Sequence, residues 1–170
     1  MDLKSLVRNI PDFPKEGILF RDITPLIADP EGFRELIDRM ADALRDKQVD
    51  VVVGPEARGF IFSAALARAL NVGLVLARKP GKLPYKTIRY EYALEYGSDE
   101  LQIHVDSIKP GQRVAIVDDL LATGGTALAC AKLCEKAGGV VVDCCFVIEL
   151  TDLPGRQTLA GYNVDTILQY

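Results

Sequence analysis

The sequence predicts an α/β fold: a doubly wound, mainly parallel central sheet flanked by helices. Three observations predict it. Apolar runs of strand length recur along the chain, segments of helical periodicity separate them, and the runs are mostly apolar throughout rather than alternating. A strand that is apolar on both faces belongs in a sheet covered on both sides, and strands that alternate with helices lie parallel. Ligands in such sheets sit beyond the carboxyl ends of the strands, so chemistry is expected in the segments that follow strands.

The elements follow in chain order. Asp29-Pro30 reads as a helix start, with aspartate as cap and proline in the first turn. Phe33, Leu36, Ile37, Met40, Ala41 and Leu44 then fall on one helical face. Val49 to Gly54 is a short strand, and a helix from about Arg58 turns Ile61, Phe62, Ala65, Leu66 and Ala69 inward. Gly73 to Ala77 is the next strand. After a turn at Ile108-Lys109-Pro110-Gly111, Val114 to Val117 is a third. A helix over Thr126 to Ala137 stops at Gly138-Gly139, and Val140 to Leu150 is a fourth, nearly all apolar.

The 170 residues suit one compact domain over 1–170, and a hydrophobic share of 49% places the chain among globular proteins. A formal charge of −4 argues against a surface devoted to nucleic acid, so any anion must be met by a local basic cluster. Met1 to Leu6 lacks the apolar core of a signal peptide, and no run approaches the roughly 20 residues that span a bilayer. A soluble, cytoplasmic protein is expected. Cys130 and Cys134 share a predicted helix face, and Cys144 and Cys145 point to opposite sides of a strand. With no Cys-x-x-Cys pair and only His104 as a histidine, they read as buried reduced thiols.

The most informative stretch is Val117-Asp118-Asp119-Leu120-Leu121-Ala122-Thr123-Gly124-Gly125-Thr126. A strand runs into two acids, and a loop of small residues opens a helix. Gly124 and Gly125 let backbone amides approach a ligand, the helix N-terminus favours a phosphate, and the Thr123 and Thr126 hydroxyls add donors. Asp118 and Asp119 make sense there if the ligand also offers hydroxyl donors, as a ribose 5-phosphate does. Gly-Gly after a strand is common in plain turns, and the acids alone would pass for a cap. The order of the parts is what distinguishes them. The run is neither a P-loop, which ends in Gly-Lys-Ser/Thr, nor a Gly-x-Gly-x-x-Gly turn.

This run resembles the phosphoribosyl-diphosphate motif of the type I phosphoribosyltransferases. The likeness extends from Ile10-Pro11-Asp12-Phe13-Pro14 to Leu168-Gln169-Tyr170 and points to the members that use adenine. It implies a small N-terminal hood over about 1–30 that reads the base, and a flexible lid over about 78–97. On that resemblance Asp118, Asp119, Ala122, Thr123, Gly124, Gly125 and Thr126 bind the ribose phosphate of 5-phosphoribosyl-1-diphosphate.

Two further segments suit the diphosphate. Gly54-Pro55-Glu56-Ala57-Arg58-Gly59 is a glycine-bounded loop entering a helix, although taken alone Arg58 reads sooner as a surface helix residue and Gly54-Pro55 as a plain turn. The resemblance makes Glu56, Ala57 and Arg58 diphosphate-binding and implies a cis Glu56–Ala57 bond. Arg78 to Arg89 carries five basic residues and no acid in an acidic chain, and its Gly and Pro residues keep it from a helix or central strand. It reads as a solvated hairpin tip, a nucleic-acid patch or a mobile lid, and the neighbouring anion sites favour the lid. Arg78, Lys79 and Lys82 match the family's ligand contacts, whereas Lys86 and Arg89 carry no assignment.

No Gly-x-Ser-x-Gly elbow occurs and one histidine makes no triad, so a covalent nucleophile is not expected. Glu95, in Leu94-Glu95-Tyr96-Gly97, reads on its own as a surface acid; the resemblance makes it the acid/base beside the purine. Leu19, Phe20 and Arg21 become the adenine-recognition segment, with Phe20 as an apolar face and the backbone at Leu19 and Arg21 reading base edges. The resemblance further implies transfer of the phosphoribosyl group to adenine, giving AMP and diphosphate in purine salvage. Mg²⁺ would be carried mainly by the substrate with help from Asp118 and Asp119, and the enzyme would be a homodimer with no nucleic-acid or membrane partner. The alternatives are another base, or a non-catalytic regulator that binds the same sugar phosphate; the acidic charge and the absence of room for a DNA-binding module weigh against the regulator.

Overall fold

The computed structural model describes residues 1–93 and 97–170. The chain opens with a short antiparallel pair, β1 (Arg8–Ile10) and β2 (Phe20–Asp22), followed by α1 (Thr24–Ala28) and α2 (Pro30–Leu44). Then come β3 (Val51–Pro55), α3 (Gly59–Leu70) and β4 (Gly73–Ala77). A hairpin of β5 (Thr87–Ala93) and β6 (Ser98–His104) precedes β7 (Arg113–Leu121) and α4 (Gly125–Lys136). The chain closes with β8 (Val140–Glu149), α5 (Gly155–Thr158) and β9 (Val164–Gln169).

The expected strand–helix alternation builds one central sheet, five strands in the order β4-β3-β7-β8-β9 with every pair parallel. Alternate residues of the middle strands feed two cores. Val52, Ala115, Val117, Cys145 and Val147 pack under α2 and α3 with Leu36, Met40, Phe62 and Leu66. Val53, Val114, Ile116, Cys144 and Phe146 face α4 and the β5–β6 hairpin, with Leu133, Leu101 and Ile103. The helix start at Asp29 is as expected: its carboxylate accepts the Gly32 amide at 2.6 Å, with proline in the first turn.

All four cysteines are free and buried, Cys144 and Cys145 in opposite cores. Burial pushes the Cys134 and Cys144 thiols up to about 12, so neither supplies a thiolate near neutral pH.

Several features differ from the sequence expectation, each for a physical reason. The third strand reaches Leu121 rather than Val117, so Asp118 and Asp119 lie within β7, where pairing with β8 through Leu121↔Glu149 extends it. The basic segment is a loop only as far as Lys86; Thr87–Ala93 pairs along its whole length with β6, outside the central sheet. The edge strand β9 was not expected, because Val164-Asp165-Thr166-Ile167-Leu168-Gln169 is too mixed to show as an apolar run.

Strand order reverses between β3 and β7. The chain moves from β3 outward to β4, then returns to the other side of β3. The switch point brings the segments after β3 and β7 together, which is where such sheets form a crevice.

At the opposite end of the sheet Asp143 is fully buried in β8, and one of its carboxylate oxygens accepts from Lys47 Nζ, which also binds Asp165. The other oxygen is buried without a partner. Desolvation outweighs the Lys47 hydrogen bond and raises the Asp143 carboxyl from 3.8 to about 6. The native state therefore holds this proton more tightly than the unfolded chain. Its stabilising contribution is complete below pH 3.8 and is lost as pH rises through about 6. Denaturant titrations between those values should show a falling component of stability that D143N removes; an unchanged slope in the variant would exclude this group.

Candidate active site

Beyond the carboxyl ends of β3 and β7 lies a cavity of about 410 Å³. Its walls are Glu56, Ala57 and Arg58 from the loop after β3, Asp118 to Leu121 from β7, Ala122 to Ala127 from the loop and first turn of α4, and Phe146 from β8. Every ribose-phosphate residue expected from the sequence lines this one space, as do Glu56, Ala57 and Arg58. The Glu56–Ala57 bond is cis. Gly125 has open space where a Cβ would stand, which leaves the start of α4 accessible to a ligand. Gly124 has φ +86°, the left-handed conformation that suits glycine, and precedes α4 without any side-chain cap on the helix. The first amides of α4 are thus free to receive an anion.

The two acids have different surroundings. Asp118 Oδ1 accepts the Asp119 backbone amide at 2.9 Å and packs against Gly59, where a Cβ would meet it at 2.9 Å. Burial, reinforced by the Asp119 charge, pushes the Asp118 carboxyl well above the usual range; the Asp119 amide and the Arg58 charge offset this only in part. The Asp119 carboxylate forms an ion pair with Arg58 Nε.

A second cavity of about 300 Å³ adjoins the first and shares Arg58, Asp119 and Leu120 with it. Its remaining walls are Ile18 to Thr24 of the N-terminal hood and Ile148 and Leu150 at the end of β8. Leu19, Phe20 and Arg21, the segment expected to recognise a base, are among them. Leu120, Ile148 and Leu150 went unpredicted, although their place at the ends of central strands is the signal that would have found them. The hood is fastened from both chain ends. Arg21 donates to Asn9 Oδ1 at 2.5 Å and its guanidinium stacks 4.2 Å from the ring centroid of Tyr170. Tyr170 is held by its carbonyl, which accepts from the Thr151 amide at 2.8 Å, and by its own amide, which donates to Glu149 at 3.0 Å.

The basic segment stands apart from these walls. Arg78, Lys79 and Lys82 line neither cavity. Glu56 Oε1 accepts from Arg78 Nε at 3.2 Å and the Lys79 amide at 2.8 Å, so the root of the segment is tied to the cavity loop. Lys79 Nζ pairs with Asp99, and Lys82 is exposed. Glu95 lies outside the described residues. Among the described residues no group of three or more His, Cys, Asp or Glu side chains is placed to hold a metal ion.

Comparison with known proteins identifies the family. Residues 26–166 match the family model of the phosphoribosyl transferase domain. The chain is 62% identical, over its full length and 99% of the relative's, to the adenine phosphoribosyltransferase of Clostridium perfringens. Among solved structures, the adenine phosphoribosyltransferase of Thermoanaerobacter pseudethanolicus superposes with a TM-score of 0.96 at 53% identity, covering 99% of this chain and 98% of that one. The Saccharomyces cerevisiae enzyme, solved with adenine and an imino-altritol bisphosphate, gives 0.91 at 41% identity, covering 97% and 96%. With a family model over most of its length and full-length relatives at this identity, the chain belongs to the phosphoribosyltransferase family.

Proposed function

We propose that this chain transfers the 5-phosphoribosyl group of 5-phosphoribosyl-1-diphosphate to adenine, giving AMP and diphosphate in purine salvage. The observation that carries the reading is the pair of adjoining cavities with a common wall: one is polar, with an acid pair and a free helix N-terminus, and the other is apolar and roofed by the hood. Ala122 to Thr126 suit the 5-phosphate through loop amides and threonine hydroxyls. Asp118 and Asp119 suit the ribose diol, accepting from its hydroxyls. Glu56, Ala57 and Arg58 suit the diphosphate, and Arg78, Lys79 and Lys82 would join it if the lid over 78–97 closes. Leu19, Phe20 and Arg21 suit the flat base, with Leu120, Ile148 and Leu150 beneath it.

Mg²⁺ fits this site as an ion brought by the substrate. Burial chiefly, and then the neighbouring Asp119 charge, raise the Asp118 carboxyl, and added positive charge would offset both. Asp118 and Asp119 are the acids that would face it, and its chemistry would be to neutralise the departing diphosphate. Attack by a base nitrogen on the anomeric carbon then needs no covalent intermediate with the protein. Glu95 is the residue proposed to take the proton from the attacking base.

The reading extends to a cytoplasmic homodimer. Four free cysteines suit a reducing compartment, and no helix among the described residues is long and apolar enough to cross a membrane. Leu74 and Leu76 on the edge strand β4 and Ile61 on α3 remain more than a third exposed, an apolar face suited to a second copy. Sedimentation should give twice the chain mass, and L74E/L76E should shift it to monomer; a monomeric parent protein would exclude this state.

Purified protein with labelled adenine, the sugar diphosphate and Mg²⁺ should form AMP. Competing hypoxanthine, guanine and uracil should not displace adenine, and absence of AMP would refute the activity. D118N should weaken sugar-diphosphate binding by about 1.5 to 3 kcal/mol, the worth of a hydrogen bond to a charged group, with unchanged calorimetric affinity excluding the diol contact. E95Q should lower turnover about 10²- to 10⁴-fold with little change in either KM, and normal turnover would remove Glu95 from proton transfer.

A further inference from the structure

The loop from Ala122 to Gly125 is shaped from behind. A Cβ on Gly124 would stand 2.9 Å from the Gly155 carbonyl oxygen and 2.9 Å from Thr158 Cβ. Reciprocally, a Cβ on Gly155 would stand 2.6 Å from the Ala122 carbonyl oxygen and 2.7 Å from Leu121 Cγ. The loop and α5 therefore meet backbone to backbone, without space for a methyl group between them. With only four residues, α5 has too few internal hydrogen bonds to fix its own position.

Arg156 supplies what α5 lacks. Its Nε donates to Glu149 Oε1 at 2.6 Å and its Nη2 to Glu149 Oε2 at 2.9 Å, a two-pronged bond, while Nη1 reaches the Val164 carbonyl at 3.2 Å. Glu149 is 4% exposed at the end of β8. Its Oε2 also accepts from the Thr166 hydroxyl at 2.9 Å and the Gln169 side-chain amide at 3.0 Å, which anchors the pair to β9. The Arg156 hydrogen bond holds the Glu149 carboxyl below its ordinary range, so the pair is fully ionised at neutral pH. Arg156 itself lines neither cavity.

We infer that Arg156, clamped on Glu149, is a positioning residue for the phosphate loop: it fixes α5, and α5 fixes the backbone amides that receive the 5-phosphate. The inference rests on the proposed reading that this loop binds that phosphate. Its consequence is selective, because Ile148 and Leu150, the base-cavity walls on either side of Glu149, are held by the backbone pairing of β8 with β7 and β9 and by the Leu150 amide on the Leu121 carbonyl, and not by Arg156.

Steady-state kinetics with both substrates, together with calorimetry of the sugar diphosphate with Mg²⁺, test this. R156Q should raise the KM for the sugar diphosphate about tenfold, the scale expected when a binding group shifts by a fraction of an ångström. The KM for adenine, and kcat at saturating sugar diphosphate, should stay within about twofold. R156K keeps the charge but loses the fork and should fall between parent and R156Q. G155A leaves the ion pair intact but drives a methyl at the Ala122 carbonyl, and should give the same selective rise. T126V, in the first turn of α4 where the loop ends, serves as the control for the reading beneath. If T126V weakens the sugar diphosphate while R156Q and G155A do not, the positioning role is overturned and the phosphate reading stands. If all three leave it unchanged, the phosphate reading itself fails. A parallel worsening of both KM values and kcat in R156Q would mean general loosening and would overturn the inference. Should R156Q fail to fold, R156K and G155A decide the matter.

Discussion

The site depends on one electrostatic constraint: two adjacent carboxylates stand at the carboxyl end of the central strand β7, one of them buried. Such a pair repels itself, and that repulsion adds to the burial that chiefly raises the Asp118 carboxyl. The fold answers with Arg58, delivered from across the switch point because β3 lies beside β7 in parallel register. Arg58 is more exposed than its partner, with side-chain exposures of 60% and 11%, so it can shift toward a ligand while Asp119 stays in the wall. A phosphorylated sugar carrying Mg²⁺ would bring hydroxyl donors for these carboxylates and further positive charge beside them.

Around that pair the structure is arranged in tiers, and the edge strand β9 serves both cavities. Thr166 and Gln169 hold Glu149, which holds Arg156 behind the phosphate loop. One residue further on, Tyr170 lies under the Arg21 guanidinium and secures the hood. The hood needs that help. Its strands are three residues each, far too short to stand alone, and Arg21 links them to the last residue of the chain. The phosphate loop and the hood are thus both held from behind, by groups on β8 and β9 and by the last residue of the chain.

What the sequence made legible follows from the same physics. Strands buried on both faces show as apolar runs, so the runs at Val51, Val114 and Val140 were readable; the run at Gly73 is equally apolar although Leu74 and Leu76 on one face stay exposed, and the acid pair with its glycine loop stood out by its order. Elements at the periphery were not. β9 alternates imperfectly because it lies at the sheet edge, and β5 hides inside a segment whose basic residues drew attention to charge rather than to strand pairing. Leu120, Ile148 and Leu150 look in sequence like any core residue, and only the placing of the hood segment Ile18 to Thr24 opposite them makes them a floor. The coupling of Arg156 to Glu149 spans separate elements and leaves no local signature.

The shared wall of the two cavities also bears on how the reaction avoids hydrolysis. Arg58, Asp119 and Leu120 border both spaces, so a sugar phosphate in one and a flat base in the other would meet at this junction. On the proposed reading the anomeric carbon lies there, with the ribose diol turned to the acids and the diphosphate toward Glu56–Arg58. A base seated on Leu120, Ile148 and Leu150 occupies the space from which water would attack, and the apolar floor gives water few partners. Orientation and exclusion of water then supply most of what the protein must contribute, since the leaving diphosphate is already activated. The remaining requirement is a single proton acceptor near the base, the role proposed for Glu95. A fold that fixes both substrates at one edge of a rigid sheet therefore has no need of a nucleophile of its own, in keeping with a chain whose four thiols are all buried.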